Sequence, residues 1–481
     1  MKKIAELVLI PAPGLGHLVP KIEFAKRLLD RDDRFSVTVL VIRPAVVPDA
    51  IFAHVESLAA SDTRINFINL PRSDDHNRLM EFPKSPEKLL SDLLDAQKPY
   101  VKEAIMKHVI SNSNSAPLAG LVVDFFCTSM IDVANELGVP SYLFFPSAAA
   151  CLGLLLSLLG RHDQGGREFE ELEADYVFKS YVNPIPSRVL PMFMFNKYGG
   201  YTTLVNHARR FKETKGIILN SFAELESHAV NSLLNDDDIP PVYAVGPVMD
   251  LKGESESRSD ETRRDEIMKW LDDQPDSSVV FLCFGSQGSF GEEQVKVIAE
   301  GLEQSGVRFL WSLRKPPPKG KLAMPGEYTS DIQEVLPNGF LERTKEMGMV
   351  CGWAPQKAVL AHKSVEGFVS HCGWNSILES LWFGVPIVTW PMYAEQQINA
   401  FQMVKDLGLA VELKLDYRDT SGEIVSAEEI ASAIKSVMDI DNKVRKRVKE
   451  VSENGRSTVI HQGSSFSAFG HLLEDIIKNK P

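Results

Sequence analysis

Short apolar runs alternate with amphipathic stretches through both halves of the chain. An apolar run bounded by turn residues predicts a buried strand, whereas apolar residues three and four positions apart predict a helix. Strands that alternate with helices are typical of parallel sheets covered by helices, so we predict an α/β protein. In the second half, Ser289 and Glu292 predict a capping box before a helix. The predicted strands are ELVLIPAP, FSVTVLVI, INFINL, AGLVVDFF, VPSYLFF, GIILNSF and PVYAVGP in the first half, then SSVVFLCF, VRFLWSLR, GMVCGW, VEGFVS and VPIVTW.

A polar run, LKGESESRSDETRRDE, lies between the two halves and predicts an exposed linker. At 481 residues the chain is too long for one ordinary hydrophobic core. Two doubly wound domains that face each other leave a cleft at the carboxyl ends of their strands, where such sheets bind ligands. We predict a first domain over 1–250, a linker over 251–266, a second domain over 267–455, and a C-terminal helix within 456–481 that returns to the first domain.

Net charge, the length of apolar stretches and the cysteine pattern limit the partners and the compartment expected for the protein. A net charge of −13 leaves no overall positive field that could hold nucleic acid or anionic lipid. The longest apolar stretch, YLFFPSAAACLGLLLSLLG, is broken by Pro146 and two glycines, so we expect no stable membrane insertion. Five scattered cysteines form no CxxC pair, and no N-x-S/T sequon occurs. We therefore expect a cytoplasmic protein.

The stretch FVSHCGWNSILES, from Phe368 to Ser380, places several polar groups where a buried strand gives way to a helix. Unpaired backbone N–H groups and the positive end of the helix dipole meet at such a turn. The turn is therefore a candidate site for a phosphate.

A purely structural interpretation of the same turn stays open at this point. Asn375 or Ser376 could cap the helix, and Ser376 with Glu379 matches a capping box. His371, Cys372 and Trp374 could be packing residues at the end of a strand.

A second strand-to-helix turn lies near the start of the chain. Gly14, Gly16 and His17 follow an apolar run there, but the dinucleotide fingerprint G-x-G-x-x-G would need glycine where Val19 stands. A nicotinamide enzyme is therefore disfavoured. Glycines at this turn bring the backbone close to a ligand, which makes His17 a candidate catalytic residue in the cleft.

Asp124 ends a strongly apolar run, and a buried carboxylate is costly unless it is paired. An imidazole is a suitable partner, because a carboxylate bonded to one ring nitrogen leaves the other free to act as a base. We predict that Asp124 contacts His17 from the end of a neighbouring strand. The alternative is that Asp124 caps a helix starting near Thr128.

Other kinds of catalytic site find little support in the sequence. FGSQGSFG, which contains Ser286, lacks the glycine spacing of a nucleophile elbow, and no H-E-x-x-H or paired-cysteine metal set occurs. Aspartates spaced as D-x-D occur in LDRDDR, NDDDIP and MDIDNK, all within solvated charge runs. We therefore predict no metal site.

The region from Trp353 to Gln396 closely resembles the signature box of plant secondary-metabolite UDP-glycosyltransferases, family 1 of the glycosyltransferases. The resemblance implies the GT-B fold, in which two Rossmann-like doubly wound domains face each other across a cleft. Further similar segments occur in the family's order, namely IPAPGLGHLVP, VVDFFC, GIILNSFAELE, YAVGP, KWLDDQPDSSVVFLCFGS and LPNGFLERT.

The resemblance also implies roles for individual residues. His17 matches the family's catalytic base, and Asp124 matches the acid that supports it. Gln396 stands at the last position of the signature box, where it resembles family members that use UDP-glucose. Trp353 would stack on uracil and Glu379 would bind the ribose hydroxyls. The implied UDP-binding positions are Ser286, Trp353, Ala354, Gln356, His371, Asn375, Ser376 and Glu379, and the implied sugar-binding positions are Trp374, Glu395 and Gln396.

The implied activity is an inverting O-glucosyl transfer from UDP-glucose to a small lipophilic acceptor, such as a flavonoid, another phenolic or a terpenoid alcohol, giving a β-glucoside. It would need no cofactor, because helix N-termini and His371 would stabilise the departing UDP. We expect the chain to act as a monomer. Two alternatives remain: a non-catalytic protein that binds UDP-sugars or phenols, and a UDP-sugar epimerase.

Overall fold

The computed structural model describes residues 3–44, 49–72, 84–113, 115–170, 175–251, 253, 261–318, 324–328, 331–418 and 422–481, with the backbone alone for 49–54. Two parallel sheets, one in each half of the chain, form the centre of the molecule. Helices cover both sheets, so the predicted α/β architecture is confirmed.

The first half contains a seven-stranded sheet in the order β3-β2-β1-β4-β5-β8-β9 and a short β6–β7 hairpin. Its strands are β1 Ala5–Ile10, β2 Phe35–Val41, β3 Ile65–Asn69, β4 Leu118–Asp124, β5 Ser141–Phe145, β6 Asp175–Tyr176, β7 Ile185–Pro186, β8 Ile217–Leu219 and β9 Val242–Ala244. Its helices are α1 Leu15–Arg31, α2 Asp49–Ser61, α3 Pro86–Asp95, α4 Lys98–Ile105, α5 Met130–Glu136, α6 Ala149–Asp163, α7 Gly200–Phe211 and α8 Ser227–Leu234, with a π turn over Met106–Ile110 and 3₁₀ turns over Ser187–Val189 and Met192–Phe195.

The second half contains a six-stranded sheet in the order β14-β11-β10-β15-β16-β17 and a short β12–β13 hairpin. Its strands are β10 Val279–Cys283, β11 Arg308–Ser312, β12 Arg314–Lys315, β13 Gly326–Glu327, β14 Gly348–Cys351, β15 Val365–Ser370, β16 Ile387–Thr389 and β17 Ala410–Glu412. Its helices are α9 Glu261–Asp272, α10 Glu292–Ser305, α11 Ile332–Val335, α12 Phe340–Arg343, α13 Gln356–Leu360, α14 Trp374–Phe383, α15 Gln396–Phe401, α16 Ala427–Met438, α17 Lys443–Thr458 and α18 Ser464–Asn479, with a π turn over Gln402–Asp406.

The predicted strands are all present, because strands covered on both faces are read as continuous apolar runs. All six residues of β1 and all five of β10 are buried. Each of these strands lies where the order of its sheet reverses, β1 between β2 and β4, and β10 between β11 and β15. Ligands bind at such switch points, outside the carboxyl ends of the strands.

The C-terminal helix α18 packs on the first sheet. Phe469 and Leu472 share a buried cluster with Phe24 of α1 and Phe144 of β5. The Tyr243 hydroxyl of β9 donates to the Asp475 carboxylate of the same helix. The chain therefore crosses between its halves a second time near its end.

Three local expectations differ from the structure. Residues 261–266 of the expected linker begin α9, whereas 252 and 254–260 lie outside the described residues. The stretch 314–330, which its many proline, lysine and glycine residues predict to be a surface loop, contains the β12–β13 hairpin, with 319–323 and 329–330 outside the described residues. The prediction of a Ser289–Glu292 capping box is wrong, because Gly291 is the N-cap of α10 and Glu292 is the first residue of that helix. The domain boundaries themselves stay predictions.

In the described part of the chain, none of the helices combines the length and apolar character that crossing a membrane requires.

Candidate active site

The first part of the site lies at the carboxyl ends of β1 and β4. Gly14, with φ of 125°, turns the chain from β1 into α1, so His17 lies in the first turn of that helix. Asp124 is the last residue of β4, and its Oδ2 lies 3.1 Å from His17 Nδ1. The predicted contact between the two side chains is present. Because an ionised carboxylate only accepts, Nδ1 carries a proton, and in the neutral ring Nε2 keeps its lone pair.

Asp124 is fully buried and holds its charge through its partners. Burial alone would raise its pKa, but electrostatic interactions with His17 and Lys21, together with their hydrogen bonds, hold the pKa below its usual range. Oδ1 accepts from the backbone N–H of Phe126 at 3.1 Å. The capping alternative for Asp124 is wrong, since Ser129 is the N-cap of α5.

Lys21 is a member of this cluster that the sequence analysis missed. It lies one turn after His17 on α1, is fully buried, and donates to the same Oδ2 of Asp124. Its Nζ also lies 4.7 Å from the centre of the Phe144 ring. The four-residue spacing from His17 could have indicated that both side chains share one face of the helix.

Aromatic side chains surround the cluster. The rings of Phe125 and Phe126 each lie 5.6 Å from the ring of His17. His207 of α7 lies 5.9 Å from Phe126, and its Nδ1 lies 2.7 Å from the Thr128 hydroxyl. Burial lowers the pKa of His207 to about 4, so this histidine is neutral at pH 7. The surroundings of His17 are therefore mostly apolar and suit a lipophilic molecule.

The second part of the site is the turn between β15 and α14. Cys372 has φ of 62°, its N–H donates to the Ser370 hydroxyl at 3.2 Å, and its carbonyl accepts from Asn399 at 3.1 Å. Gly373 is the N-cap of α14 and has no side chain to accept the first N–H groups of the helix. A rigid helix N-terminus with uncapped N–H groups is suited to bind a phosphate.

The capping alternatives for this turn are wrong. Since Gly373 is the N-cap, Asn375 and Ser376 are the second and third residues of the helix rather than caps. Glu379 lies further along α14, and its carboxylate accepts from Gln356.

His371 lies at the centre of the turn with its ring buried. Nδ1 has no hydrogen-bond partner among the described residues, and burial lowers the pKa of the ring to about 4. Two glycines make room for it, since a Cβ would lie 2.6 Å from Nε2 at Gly285 and 2.7 Å from it at Gly373. Ser286, which follows Gly285 in the turn after β10, is exposed. The neutral ring can therefore hydrogen-bond to a group entering the turn.

The remaining residues predicted to bind the nucleotide lie around α13 and α14. Gln356 Nε2 donates to the Ser376 hydroxyl at 3.0 Å and to Glu379 Oε2 at 2.7 Å, so these three side chains form one network. Trp353, half-buried, and Ala354, buried, precede α13.

The residues predicted to bind the sugar are all tied to their surroundings. Gln396 Oε1 accepts the backbone N–H groups of Met392 at 2.9 Å and Tyr393 at 3.1 Å. Glu395 Oε1 accepts from the hydroxyl of Ser147 at 3.1 Å. The third residue, Trp374, donates its indole N–H to the carbonyl of Asn220 at 2.7 Å. Glu395 and Trp374 thus connect the second half of the chain with the first.

A further hydrogen bond joins the two parts of the site. Asn375 Nδ2 donates to the carbonyl of Gly16 at 3.0 Å, so the N-terminus of α14 contacts the N-terminus of α1. His17 follows Gly16 directly, and His371 lies four residues before Asn375. The His17 cluster and the uncapped helix end therefore face one cleft.

Within the described residues, no group of three or more His, Cys, Asp and Glu side chains is arranged to hold a metal ion. The metal-free reaction expected from the sequence stays a prediction.

Comparison with known proteins gives consistent results. The family model described as UDP-glucoronosyl and UDP-glucosyl transferase matches residues 221–454. The chain is 52% identical to UDP-glycosyltransferase 71K1 from Malus domestica, over 99% of each chain. It is also 52% identical to a Fragaria ananassa protein named putative UDP-glucose flavonoid 3-O-glucosyltransferase 3, over 99% of this chain and 100% of the relative.

Two solved structures are similar over nearly the whole chain. The crystal structure of Medicago truncatula UGT71G1 complexed with UDP-glucose matches with a TM-score of 0.89 and 46% identity, over 99% of both chains. Phytolacca americana UGT2 complexed with UDP-2fluoro-glucose and pterostilbene matches with a TM-score of 0.84 and 32% identity, over 98% of this chain and 100% of the other. The family resemblance seen in the sequence is confirmed: the chain belongs to the plant family 1 UDP-glycosyltransferases and is a transferase with the GT-B fold.

Proposed function

We propose that the protein is an inverting O-glucosyltransferase that moves glucose from UDP-glucose to a hydroxyl of a small lipophilic acceptor. The observation that carries this proposal is the contact between the two helix N-termini. The Asn375–Gly16 hydrogen bond places a base paired with a buried carboxylate opposite an uncapped helix end suited to a diphosphate. A proton acceptor and a leaving-group site across one cleft are what direct sugar transfer requires.

The base in this proposal is His17. Its Nε2 takes the proton of the acceptor hydroxyl while the oxygen attacks the anomeric carbon from the face opposite UDP. The new C–O bond forms as the bond to the diphosphate breaks, and UDP leaves with the bonding electrons. Asp124 stabilises the resulting imidazolium. Attack from the opposite face inverts the α-linked donor and gives a β-glucoside.

The donor is held by the second half of the chain in this proposal. The diphosphate binds the N–H groups of α14 and the His371 ring, with Ser286, Asn375 and Ser376 beside it. The uridine lies against Trp353 and Ala354, and the Gln356–Glu379 pair receives the ribose. The UDP-glucose bound in Medicago truncatula UGT71G1 supports this choice of donor.

The sugar lies beside Trp374, Glu395 and Gln396. Because Gln396 Oε1 is already held by two backbone N–H groups, its Nε2 is fixed in direction and can donate to a sugar hydroxyl. An axial hydroxyl that leaves one buried polar group unpaired costs about 1–3 kcal/mol. UDP-glucose should therefore be preferred over UDP-galactose, whose C4 hydroxyl is axial, by a factor on the order of ten or more.

The acceptor class follows from the surroundings of His17. Phe125, Phe126 and the neutral His207 favour an aromatic or alicyclic molecule over a polar one. The flavonoid acceptor in the name of the Fragaria ananassa relative and the pterostilbene in the Phytolacca americana complex support a phenolic compound.

The test is a panel of flavonoids, other phenols and terpenoid alcohols incubated with the purified protein and UDP-glucose, with products measured by mass spectrometry. We expect a mass increase of one hexose on at least one class of acceptor, and loss of that product in His17→Ala. A rearranged UDP-sugar formed without acceptor would indicate an epimerase instead. Donor binding without any product across the panel would indicate a binding protein. The cytoplasmic location and the monomeric state stay predictions.

A further inference from the structure

The buried ammonium of Lys21 lies against the residues that the proposed function uses. Lys21 Nζ and His17 Nδ1 both bond to one oxygen, Oδ2 of Asp124. The lysine and aspartate side chains are fully buried, whereas 26% of the His17 side chain is exposed. A hydrogen bond from Lys21 to the His17 carbonyl, at 3.4 Å, further limits its position.

The net charge of this cluster is zero when His17 is neutral, because the Lys21 ammonium then balances the Asp124 carboxylate. When His17 accepts a proton, the cluster gains one uncompensated positive charge. Because like charges repel strongly where water is excluded, Lys21 opposes protonation of His17 from bulk water.

The other titratable groups around the cluster do not replace this effect. Burial raises the pKa of the Cys127 thiol well above its usual value, so that group is neutral. His207 is also neutral at pH 7, since burial lowers its pKa to about 4. Among the described side chains that bond to Asp124, Lys21 therefore supplies the cation that takes no part in the proton transfer itself.

We propose that Lys21 is a positioning residue for the reaction: its ammonium keeps the Asp124 carboxylate ionised and fixed, and holds His17 in the unprotonated form whose Nε2 can accept the acceptor's proton. This inference rests on the proposed function, because it assigns to His17 the role of base. Its consequence is that the enzyme works at lower pH than a histidine–aspartate pair alone would allow.

The test compares the pH dependence of kcat/KM for one acceptor in the full-length enzyme and its Lys21 variants. Lys21→Met and Lys21→Gln remove the charge, and Lys21→Arg keeps it. In either neutral variant His17 should bind a proton more tightly, so the acid limb of the profile should move upward by on the order of one pH unit. The plateau at high pH should change less than threefold. Lys21→Arg should keep the acid limb of the wild type.

Lys26→Met is the matched control. It removes another lysine of α1, whose ammonium pairs with Glu23 at 2.8 Å outside the cluster. Its pH profile should coincide with that of the wild type. UDP binding, measured by calorimetry, confirms that each variant is folded.

Three results would overturn the proposal. The first is a neutral variant that binds UDP and keeps the wild-type acid limb. The second is an upward shift in Lys21→Arg equal to that in the neutral variants. The third is failure of both neutral variants to fold while Lys21→Arg folds, since Lys21 would then serve stability alone. An inactive His17→Ala together with an unchanged Lys21 profile would leave the proposed function standing, whereas an active His17→Ala would remove it.

Discussion

At the scale of single residues, the central feature is an imidazole that bonds to a buried carboxylate through Nδ1. His17→Ala should lower turnover by a factor of about 10² to 10⁴, the usual contribution of a positioned base. UDP affinity should stay nearly unchanged, because the proposed nucleotide site lies on the other half of the chain. Initial rates and calorimetry for UDP measure the two effects separately.

Asp124→Asn should also lower turnover more than donor affinity, since the amide keeps the shape but loses the charge that stabilises the imidazolium. Phenols should be affected less than aliphatic alcohols, because they release a proton more easily. Near-normal rates of His17→Ala on an aliphatic alcohol would show that the base is another residue.

His371 predicts a pH dependence of donor binding. Burial holds the pKa of the free ring at about 4, below its usual value, and a diphosphate against the ring would favour its protonated form. Binding of UDP-glucose should therefore take up protons and strengthen as the pH falls from about 7 to 5. UDP-glucose is the proper ligand because both ends of its diphosphate are esterified, so the diphosphate itself takes up no proton in this pH range.

Calorimetry in two buffers with different ionisation enthalpies measures this uptake. His371→Gln, which can hydrogen-bond but cannot take up a proton, should bind with no such pH dependence. The same proton uptake in His371→Gln would assign it to another group.

The residues of the site differ in how far the sequence could predict them. Asp124 was found because a carboxylate at the end of an apolar strand needs a partner. Lys21 was missed because a lysine four residues after His17 also matches the polar face of an amphipathic helix. Its burial follows from the packing of α1 on the first sheet, where its ammonium meets Asp124 and the Phe144 ring, and no local pattern contains these contacts.

At the scale of elements, two strand-to-helix turns of the second sheet, the one after β10 and the one after β15, meet at His371. Gly285, with φ of 74°, lies against this ring, and an alanine Cβ there would be 2.6 Å from Nε2. Gly285→Ala should therefore displace the ring and weaken UDP binding at least tenfold. The left-handed backbone adds a loss of unfolding free energy of about 1–2 kcal/mol.

Gly306→Ala is the matched control for this prediction. Gly306 has φ of 64° at the end of α10, and a Cβ there meets no atom of the described structure within 4 Å. It should show a similar loss of stability with unchanged UDP affinity, as seen by thermal unfolding and calorimetry. Equal losses of affinity in both variants would contradict the role of Gly285.

Strands were easier to predict than helix starts. A buried strand is a run of apolar residues, and each run found in the sequence is a strand. The S-x-x-E pattern gave wrong predictions of a capping box at Ser289 and Ser376. The N-caps are glycines, so Ser289 lies before the N-cap of α10 and Ser376 lies inside α14. The capping box that does form, Ser426 with Glu429, has the same pattern, so the motif alone could not separate the three.

At the scale of the whole molecule, the proposed function depends on contacts between the halves of the chain. Asn375–Gly16, Trp374–Asn220 and Glu395–Ser147 each cross the cleft. The alternation of strands and helices predicted a cleft between two domains, but the residues that meet across it could not be predicted from spacing. Their sequence separations exceed any local pattern.

The proposed mechanism assigns the charge of departing UDP to helix N–H groups and His371. Activity should therefore persist in excess chelator. Rates measured after dialysis against a strong chelator, with and without added manganese or magnesium, check this expectation. Loss of activity with rescue by either ion would contradict the assignment.

The anomeric configuration of the product tests the proposed displacement directly. The proposed base lies opposite the diphosphate site across the cleft, so a single displacement inverts the α-linked glucose of the donor. Proton NMR of the glucoside formed from UDP-glucose and a flavonoid, taken early in the reaction, reports this configuration through the coupling of the anomeric proton. We expect the β-glucoside alone, and an α-glucoside as the first product would rule out a single displacement.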